Sequence, residues 1–432
     1  MSSFYLTPKF FKSVKYYNKE QAVNDIIAGI IVAIIALPLS IALALASGVE
    51  PARGIYTAVA AGFFVALFGG SRVQIAGPTA AFATVVASIV AKEGMDGLFI
   101  ATIIAGFLLI IMGLAKLGSL IRFIPKAITV GFTGGIAVTI LIGQIKDFFG
   151  ITYAENLRPI ETIEKIEANI EFFAFNWQPF VIGLISLAIL IFYPKFEKRV
   201  PPSLIAVIVS ALLVAFVPVF NNGVFTIGDL YKIPRGLPTV DLGSIDFSAD
   251  KIVAVLPSAF SIAILAGIES LLSCVVADRM INSKHNSNAE LVAQGVGNIA
   301  SVLFGGIPAT GAIARTAANI KNGGRTPIAA MVHSIILLLV LLFFMPLAKL
   351  IPMPTIAAIL FVVAYNMSEW RQFVKIIKKR RIGNILILFV TFVFTVIFDL
   401  VVAICIGMAL YGIILLIEKL KNKGKGAVKN KG

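Results

Sequence analysis

The sequence predicts an all-α polytopic membrane protein with about 14 transmembrane helices, and three observations point there. The first is composition. Of 432 residues, 59% are hydrophobic and only 14% charged, whereas soluble chains carry about a quarter charged. The second is the length of the uncharged runs. None of the residues between Asp25 and Glu50 is charged, and Phe180–Tyr193, Ile328–Pro346, Asn384–Phe398 and Leu400–Ile417 also carry no charge. A helix crosses a bilayer with about 20 such residues. The third is that Lys and Arg collect in alternate loops.

The basic residues fall before the first span (Lys9, Lys12, Lys15, Lys19) and after the even-numbered ones. These are Arg72; Lys116, Arg122 and Lys126; Lys195, Lys198 and Arg199; Arg279 and Lys284; Lys321 and Arg325; Arg371 to Arg381; and the tail from Lys419 to Lys431. The intervening loops are mixed or acidic, with Glu155, Glu161, Glu164 and Glu171 in one and Asp229, Asp241, Asp246 and Asp250 in another. The positive-inside rule puts both termini in the cytoplasm of a multi-pass protein of the inner (plasma) membrane. The net charge of +15 is then a topology signal, with contact to anionic lipid, and does not point to nucleic acid. No cleavable signal peptide is expected, since residues 1–24 are basic and aromatic and suit an interfacial segment.

The spans are expected at 25–47, 54–69, 79–92, 97–115, 127–146, 177–194, 202–219, 255–277, 288–304, 310–321, 326–347, 353–366, 382–397 and 399–418. The third and tenth are too short to cross alone and read as half-helices. Residues 157–174 read as an amphipathic surface helix, 221–254 as an extracytoplasmic connection with strand-like pieces, and 419–432 as a basic tail. Seven spans in each half (25–220 and 255–418) is an odd number, so a duplicated half would insert upside down. Inverted repeats place the substrate near the bilayer midplane, at half-helices.

Both half-helices follow backbone that cannot be helical: Gly77-Pro78-Thr79-Ala80-Ala81 and Gly305-Gly306-Ile307-Pro308-Ala309-Thr310-Gly311-Ala312. Pro78 and Pro308 favour a helix start, and Thr79 and Thr310 can cap one. Ala80, Ala81, Gly311 and Ala312 leave room for an ion to reach bare amides, which the helix dipole makes favourable for an anion. Arg315, one turn further on, adds a full positive charge. A plainer reading, that Pro and Gly merely kink packed helices, does not explain Arg315.

Glu269 lies mid-span, where an acid costs about 2.5–3.5 kcal/mol on insertion scales and must face a cavity or a partner. A carboxyl group there is a natural proton carrier, and Ser273 lies one turn on along the same face. The alternative role for Glu269 is a permanent counter-ion for Arg315. Cys274 and Cys405 read as small buried hydrophobes, Asp399 as a helix cap, and His285 and His333 as structural. No cofactor or metal is expected. The absence of a nucleophile–His–acid grouping and of a phosphate loop speaks against an enzyme.

Several segments together resemble the sulfate permease (SulP, solute carrier family 26) family of anion transporters. They are Pro51-Ala52-Arg53-Gly54-Ile55-Tyr56-Thr57, Gly69-Gly70-Ser71-Arg72, Gly77-Pro78-Thr79, Glu269-Ser270-Leu271-Leu272-Ser273 with Ala277-Asp278, and Gly305 through Thr316. Ile55 stands where Leu is usual. The resemblance implies a seven-plus-seven inverted repeat with a core (spans 1–4 and 8–11) and a gate (5–7 and 12–14). It also implies elevator-like movement and a homodimer. By matching motif, substrate would meet Leu39, Leu43, Thr79, Ala80, Ala81, Gly311, Ala312, Ile313 and Arg315, with Glu269 and Ser273 serving the coupling ion. Leu39 and Leu43 replace the polar and aromatic residues of some relatives. Ile313 stands where sodium-coupled relatives have a hydroxyl, which disfavours sodium against the proton. Most members continue into a cytoplasmic STAS domain, which is either lacking here or cut away after Gly432.

The expected function is therefore secondary active transport of an inorganic anion, sulfate foremost, by proton symport through Glu269. Bicarbonate or C4-dicarboxylate transport and an uncoupled channel-like anion pore are the alternatives, and a nucleobase carrier of the same fold is a further rival.

Overall fold

The computed structural model describes residues 6–15, 17–119, 125–153, 162–197, 200–232, 245–398 and 400–429. The first half runs α1 (Lys9–Val14), α2 (Lys19–Ala46), α3 (Pro51–Phe68), β1 (Ala76–Gly77), α4 (Ala83–Leu114), α5 (Lys126–Phe149), α6 (Thr162–Glu171), α7 (Trp177–Phe196) and α8 (Pro202–Phe216). Two short helices, α9 (Pro218–Asn221) and α10 (Ile227–Leu230), lead towards the second half. That half runs α11 (Ala249–Ile281), α12 (Ser287–Leu303), β2 (Thr310–Gly311), α13 (Ile313–Lys321), α14 (Pro327–Phe344), α15 (Met353–Met367), α16 (Trp370–Lys378), α17 (Ile382–Ile397) and α18 (Leu400–Lys429).

α4 holds the third and fourth expected spans end to end. Gly94, at φ 72° and ψ −173°, breaks it between them, a conformation that glycine adopts without a Cβ penalty. With α4 counted twice, helices stand at all fourteen expected places. Seven of the described helices have at least 18 residues and are apolar enough to cross a membrane; Pro202–Phe216, Ile382–Ile397 and Val402–Leu416 are shorter apolar helices.

The packing has the symmetry of an inverted repeat. α4 lies on α11 and α12, and its counterpart α14 lies on α2 and α3. α5 meets α17, and its counterpart α15 meets α7. The pairs α3–α12 and α5–α15 map onto themselves. Exchanging the halves thus leaves these main contacts in place, while α2 also packs on α8 and α15 without an equal match from α11 on α18 and α5 among the described residues. Helices α2–α4 and α11–α14 form the core, and α5, α7, α8, α15, α17 and α18 form the gate.

Some boundaries differ from expectation. The short spans begin later, at a 3-10 turn over Ala80–Phe82 and at Ile313, because Thr310 and Gly311 are drawn into a strand pair. Of the surface helix expected over 157–174, α6 takes Thr162–Glu171, and residues 157–161 lie outside the described residues. Within the 221–254 connection, the strand-like pieces reduce to one bridge, Thr226 with Pro352, among the described residues. α18 continues to Lys429, so most of the expected tail extends the last helix. Asp399, Arg122, Lys198, Arg199, Glu155, Glu161, Asp241 and Lys431 lie outside the described residues.

Buried polar groups fasten elements distant in sequence. Asp25, fully buried in α2, accepts from the N–H groups of Arg325 (2.8 Å) and Thr326 (3.3 Å) and from the Thr326 hydroxyl. It so holds the start of α14 against α2 and satisfies N–H groups that a helix start leaves open.

Candidate functional site

Non-helical backbone at membrane depth must find hydrogen bonds within the protein. Here the two interruptions satisfy each other. β1 and β2 pair antiparallel, Ala76 with Gly311 and Gly77 with Thr310, and the Ala312 N–H donates to the Ile75 carbonyl at 2.8 Å. Side chains take up the remainder. The Ser270 hydroxyl accepts from the Gly311 N–H (2.9 Å), and the Thr316 hydroxyl accepts from the Ile75 N–H (3.0 Å). Asn298 clamps Ala309 on both sides, accepting from its N–H at 2.8 Å and donating to its carbonyl at 2.9 Å. The Ile307 N–H donates to the Thr57 hydroxyl at 2.8 Å, and Asn319 donates to the Val73 carbonyl at 2.9 Å.

This close approach has no room for a side chain at Gly311, where a Cβ would sit 1.8 Å from Gln74 Nε2. At Gly77 a Cβ would sit 2.7 Å from Arg315 Nη1. Arg315 is only 2% exposed. Its Nη2 donates to the Pro78 carbonyl, which ties α13 to the approach of α4. Its Nε and Nη1 have no partner among the described residues. The ion pairs among those residues do not include Arg315 with Glu269, so the guanidinium is held by backbone and does not neutralise the acid.

Glu269, only partly buried, instead takes hydrogen bonds from both interruptions. Its Oε2 accepts from the Thr79 hydroxyl at 3.1 Å, and the Thr310 hydroxyl lies 3.5 Å from the same oxygen but 3.0 Å from the Gly311 carbonyl, two acceptors that share its one proton. The expected capping by these threonines is therefore not what they do. Neither side chain caps a helix: the 3-10 turn at Ala80 and helix α13 both start without a side-chain cap. The first N–H groups of α13, at Ile313, Ala314 and Arg315, have no partner inside the helix by geometry. Ile313 is 43% exposed and Ala312 half-buried, so this helix start is open on its outer side. Ala80 and Ala81 are buried at the other start.

Of the remaining expected site residues, Leu39 lines a cavity of about 360 Å³ with Ile31, Ile35, Leu190, Asn322 and Ile359. The cavity lies between α2 and the end of α13 on one side and α7, α8 and α15 on the other, which is the seam of core and gate. Leu43 is buried in the core. Ser273 is fully buried one layer behind, donating to the Thr316 hydroxyl at 3.4 Å and not facing Glu269. His285 hydrogen-bonds Asp278 at 2.7 Å and Ser287 at 3.0 Å, a local tie. His333 is buried, and neither ring nitrogen has a partner among the described residues. No three His, Cys, Asp or Glu side chains among those residues form a metal-holding group.

Sequence reasoning passed over the polar scaffold beneath the site. Glu290, fully buried on α12, accepts from the N–H groups of Gly70 (2.9 Å) and Ser71 (3.1 Å) and from the side chains of Gln74 (3.1 Å) and Gln294 (3.0 Å). A signal was present. Glu290, Gln294, Asn298 and Ser301 recur at one-turn spacing along a span, a polar stripe that must turn inward in a bilayer.

The profile of the sulfate permease family matches residues 23–391. The chain is 44% identical over 408 residues to the putative sulfate transporter YvdB of Bacillus subtilis, covering 93% of this chain and 75% of that one. It is 33% identical to the bicarbonate transporter BicA of Picosynechococcus sp., covering 92% and 71%. The solved transmembrane domain of a cyanobacterial BicA superposes with a TM-score of 0.80 at 32% identity, over 90% of this chain and 98% of that domain. The murine Slc26a9 anion transporter, in an inward-facing state, shares the fold with a TM-score of 0.85 at 17% identity, over 96% and 71%. The chain belongs to the sulfate permease family, whose members are membrane transporters of anions.

Proposed function

We propose that this protein is a secondary active transporter that moves sulfate together with a proton carried by Glu269. The observation that carries this reading is the convergence of Thr79 and Thr310, one from each interruption, on the Glu269 carboxylate. With the Thr79 hydroxyl so engaged, and with Ala312 at the cap position of α13, both helix starts stay uncapped and can offer N–H groups to an anion. Arg315 supports them from behind through Pro78. An ionised Glu269 beside these helix starts repels an arriving anion, and protonation removes that repulsion. Anion and proton then arrive as a pair.

The β1–β2 pairing and the Asn298 clamp make the interruptions one body with the core, and the cavity lies at its seam with the gate. This supports an elevator-like movement of core against gate. Leu39, Leu43, Ala80, Ala81, Gly311, Ala312, Ile313 and Arg315 form or back the substrate site in this reading, and Ser273 stabilises the layer below Glu269. We place the protein in the inner membrane as a homodimer with both termini in the cytoplasm, in keeping with its loop charges. Sulfate is favoured by the YvdB relative; bicarbonate is the second reading, favoured by the BicA relatives.

The test is uptake of labelled sulfate, and separately of bicarbonate, into proteoliposomes with and without an inward proton gradient. Sulfate accumulation should follow the gradient and be lost in Glu269→Gln. A variant that accumulates sulfate up the gradient as well as the parent would overturn the coupling, and uptake of bicarbonate alone would overturn the substrate.

A further inference from the structure

Between α15 and α17 the chain leaves the bundle and forms α16, none of whose residues is buried. At the helical repeat, Trp370, Phe373, Val374, Ile376 and Ile377 share one side, and Arg371, Lys375 and Lys378 share the other. Lys379, Arg380 and Arg381 extend the basic side through a turn in which Arg380 takes φ 51°. The orientation is fixed by two aromatic anchors. The Phe373 ring stands edge-on to Phe389 (5.6 Å) and Phe392 (5.7 Å) of α17. The Trp370 indole N–H donates to the Tyr365 hydroxyl at 3.1 Å.

What is left uncovered has two characters. Trp370 (46%), Val374 (37%) and Ile377 (36%) keep apolar surface that no element among the described residues covers. All six basic side chains are exposed, and none pairs with a carboxylate among the described residues. Arg371 lies 5.5 Å over the Trp370 ring. Glu369 is the one acid in this stretch.

We propose that α16 and the basic turn after it form a docking surface for the acidic phosphodiester headgroups of the surrounding bilayer. A helix with an aromatic and aliphatic side opposite a Lys/Arg side lies in the plane of the membrane interface. A basic cluster next to a span concentrates anionic lipid. The choice of lipid over an acidic protein rests on both faces being served at once. Headgroup phosphates meet the six cations while the acyl boundary takes Trp370, Val374 and Ile377; a soluble acidic partner would meet only the cations. Since α16 is fastened to α17 and packs on α5, the lipid contact belongs to the gate.

The two tryptophans are Trp177 and Trp370, so Trp177→Phe leaves Trp370 as the sole tryptophan of the full chain, which selective excitation reads apart from tyrosine. This protein is reconstituted in phosphatidylcholine vesicles containing about 20 mol % phosphatidylglycerol, with bromine on the acyl chains of one lipid or the other at equal brominated fraction. Brominated phosphatidylglycerol should quench Trp370 about twofold more than brominated phosphatidylcholine. Raising salt to about 1 M, where charges are screened within a few ångströms, should abolish the excess without any further substitution. Replacing Arg371, Lys375, Lys378, Lys379, Arg380 and Arg381 by Gln should abolish it at low salt. Equal quenching by the two lipids, or an excess that survives high salt, would overturn the proposal. Transport is not read in this experiment, so its failure stands apart from any failure of the proposed substrate or coupling.

Discussion

Thr79 donates its hydroxyl to Glu269 at 3.1 Å across 190 residues of sequence. The bond joins the approach to one broken helix to the middle of the span that faces it, and Thr310 approaches the same oxygen from the other interruption. A hydrogen bond to a charged group contributes about 1.5–3 kcal/mol. Thr79→Val keeps the shape and removes the donor, so initial uptake should fall about tenfold. Thr79→Ser should keep most of the activity. Uptake by the valine variant equal to the parent would separate this bond from transport.

Gly311 is pressed against Gln74, with no space for a methyl group. Gly311→Ala should displace the Gln74 amide from the Ser270 carbonyl and Glu290 and cost about 1–3 kcal/mol, as overpacking does elsewhere. Thermal unfolding in detergent reads this directly, and an unchanged midpoint would contradict the close approach.

Glu290 accepts four hydrogen bonds in a fully buried place. Glu290→Gln sets an NH₂ group against donors already present, with an expected loss of about 2–3 kcal/mol. Glu290→Ala strands the N–H groups of Gly70 and Ser71 and should be worse. Both variants should lose folded protein and transport in parallel. Normal stability with lost transport would instead make Glu290 part of the transport chemistry.

Tyr153, beyond the end of α5, donates to Asn169 at 2.7 Å. Burial first, and then the nearby Asp147 charge, push its phenol up to about 12 from an ordinary 10.0. An unfolded phenol ionises near 10 while the folded one keeps its proton. The stability this group contributes is therefore full below pH 10 and is lost as pH rises through about 12. Comparing the ultraviolet titration of the parent with that of Tyr153→Phe should show one phenolate missing from the high-pH end. A missing phenolate near pH 10 would mean an ordinary, solvated side chain.

The helices, their order and the place of the interruptions were legible because each follows from local residue type: apolar runs, Pro and Gly breaks, and loop charge. The roles of Thr79 and Thr310 were not. A Thr before a helix start reads as a cap, and only the arrival of Glu269 from a distant span makes its carboxylate the better acceptor. Arg315 was legible as a cation at depth, but its partner is a carbonyl, which every residue carries and no pattern marks. Ser273 shares a helix with Glu269, yet Thr316 on another helix draws it into the layer behind. The scaffold around Glu290 left a trace, the one-turn spacing of α12, but its partners at Gly70 and Ser71 are main-chain groups and leave no mark in the sequence.

The main helix contacts recur when the halves trade places, and α6 and α16 occupy equivalent positions, between the fifth and sixth and the twelfth and thirteenth spans. α6 carries Glu164, Glu167 and Glu171 against one Lys165, while α16 carries Arg371, Lys375 and Lys378. The packing alone has no up or down. An ancestral half could have entered a membrane in either sense and met its twin inverted. What tells the two ends of such a molecule apart is the charge carried in its loops and on these two outlying helices, which the packing does not use.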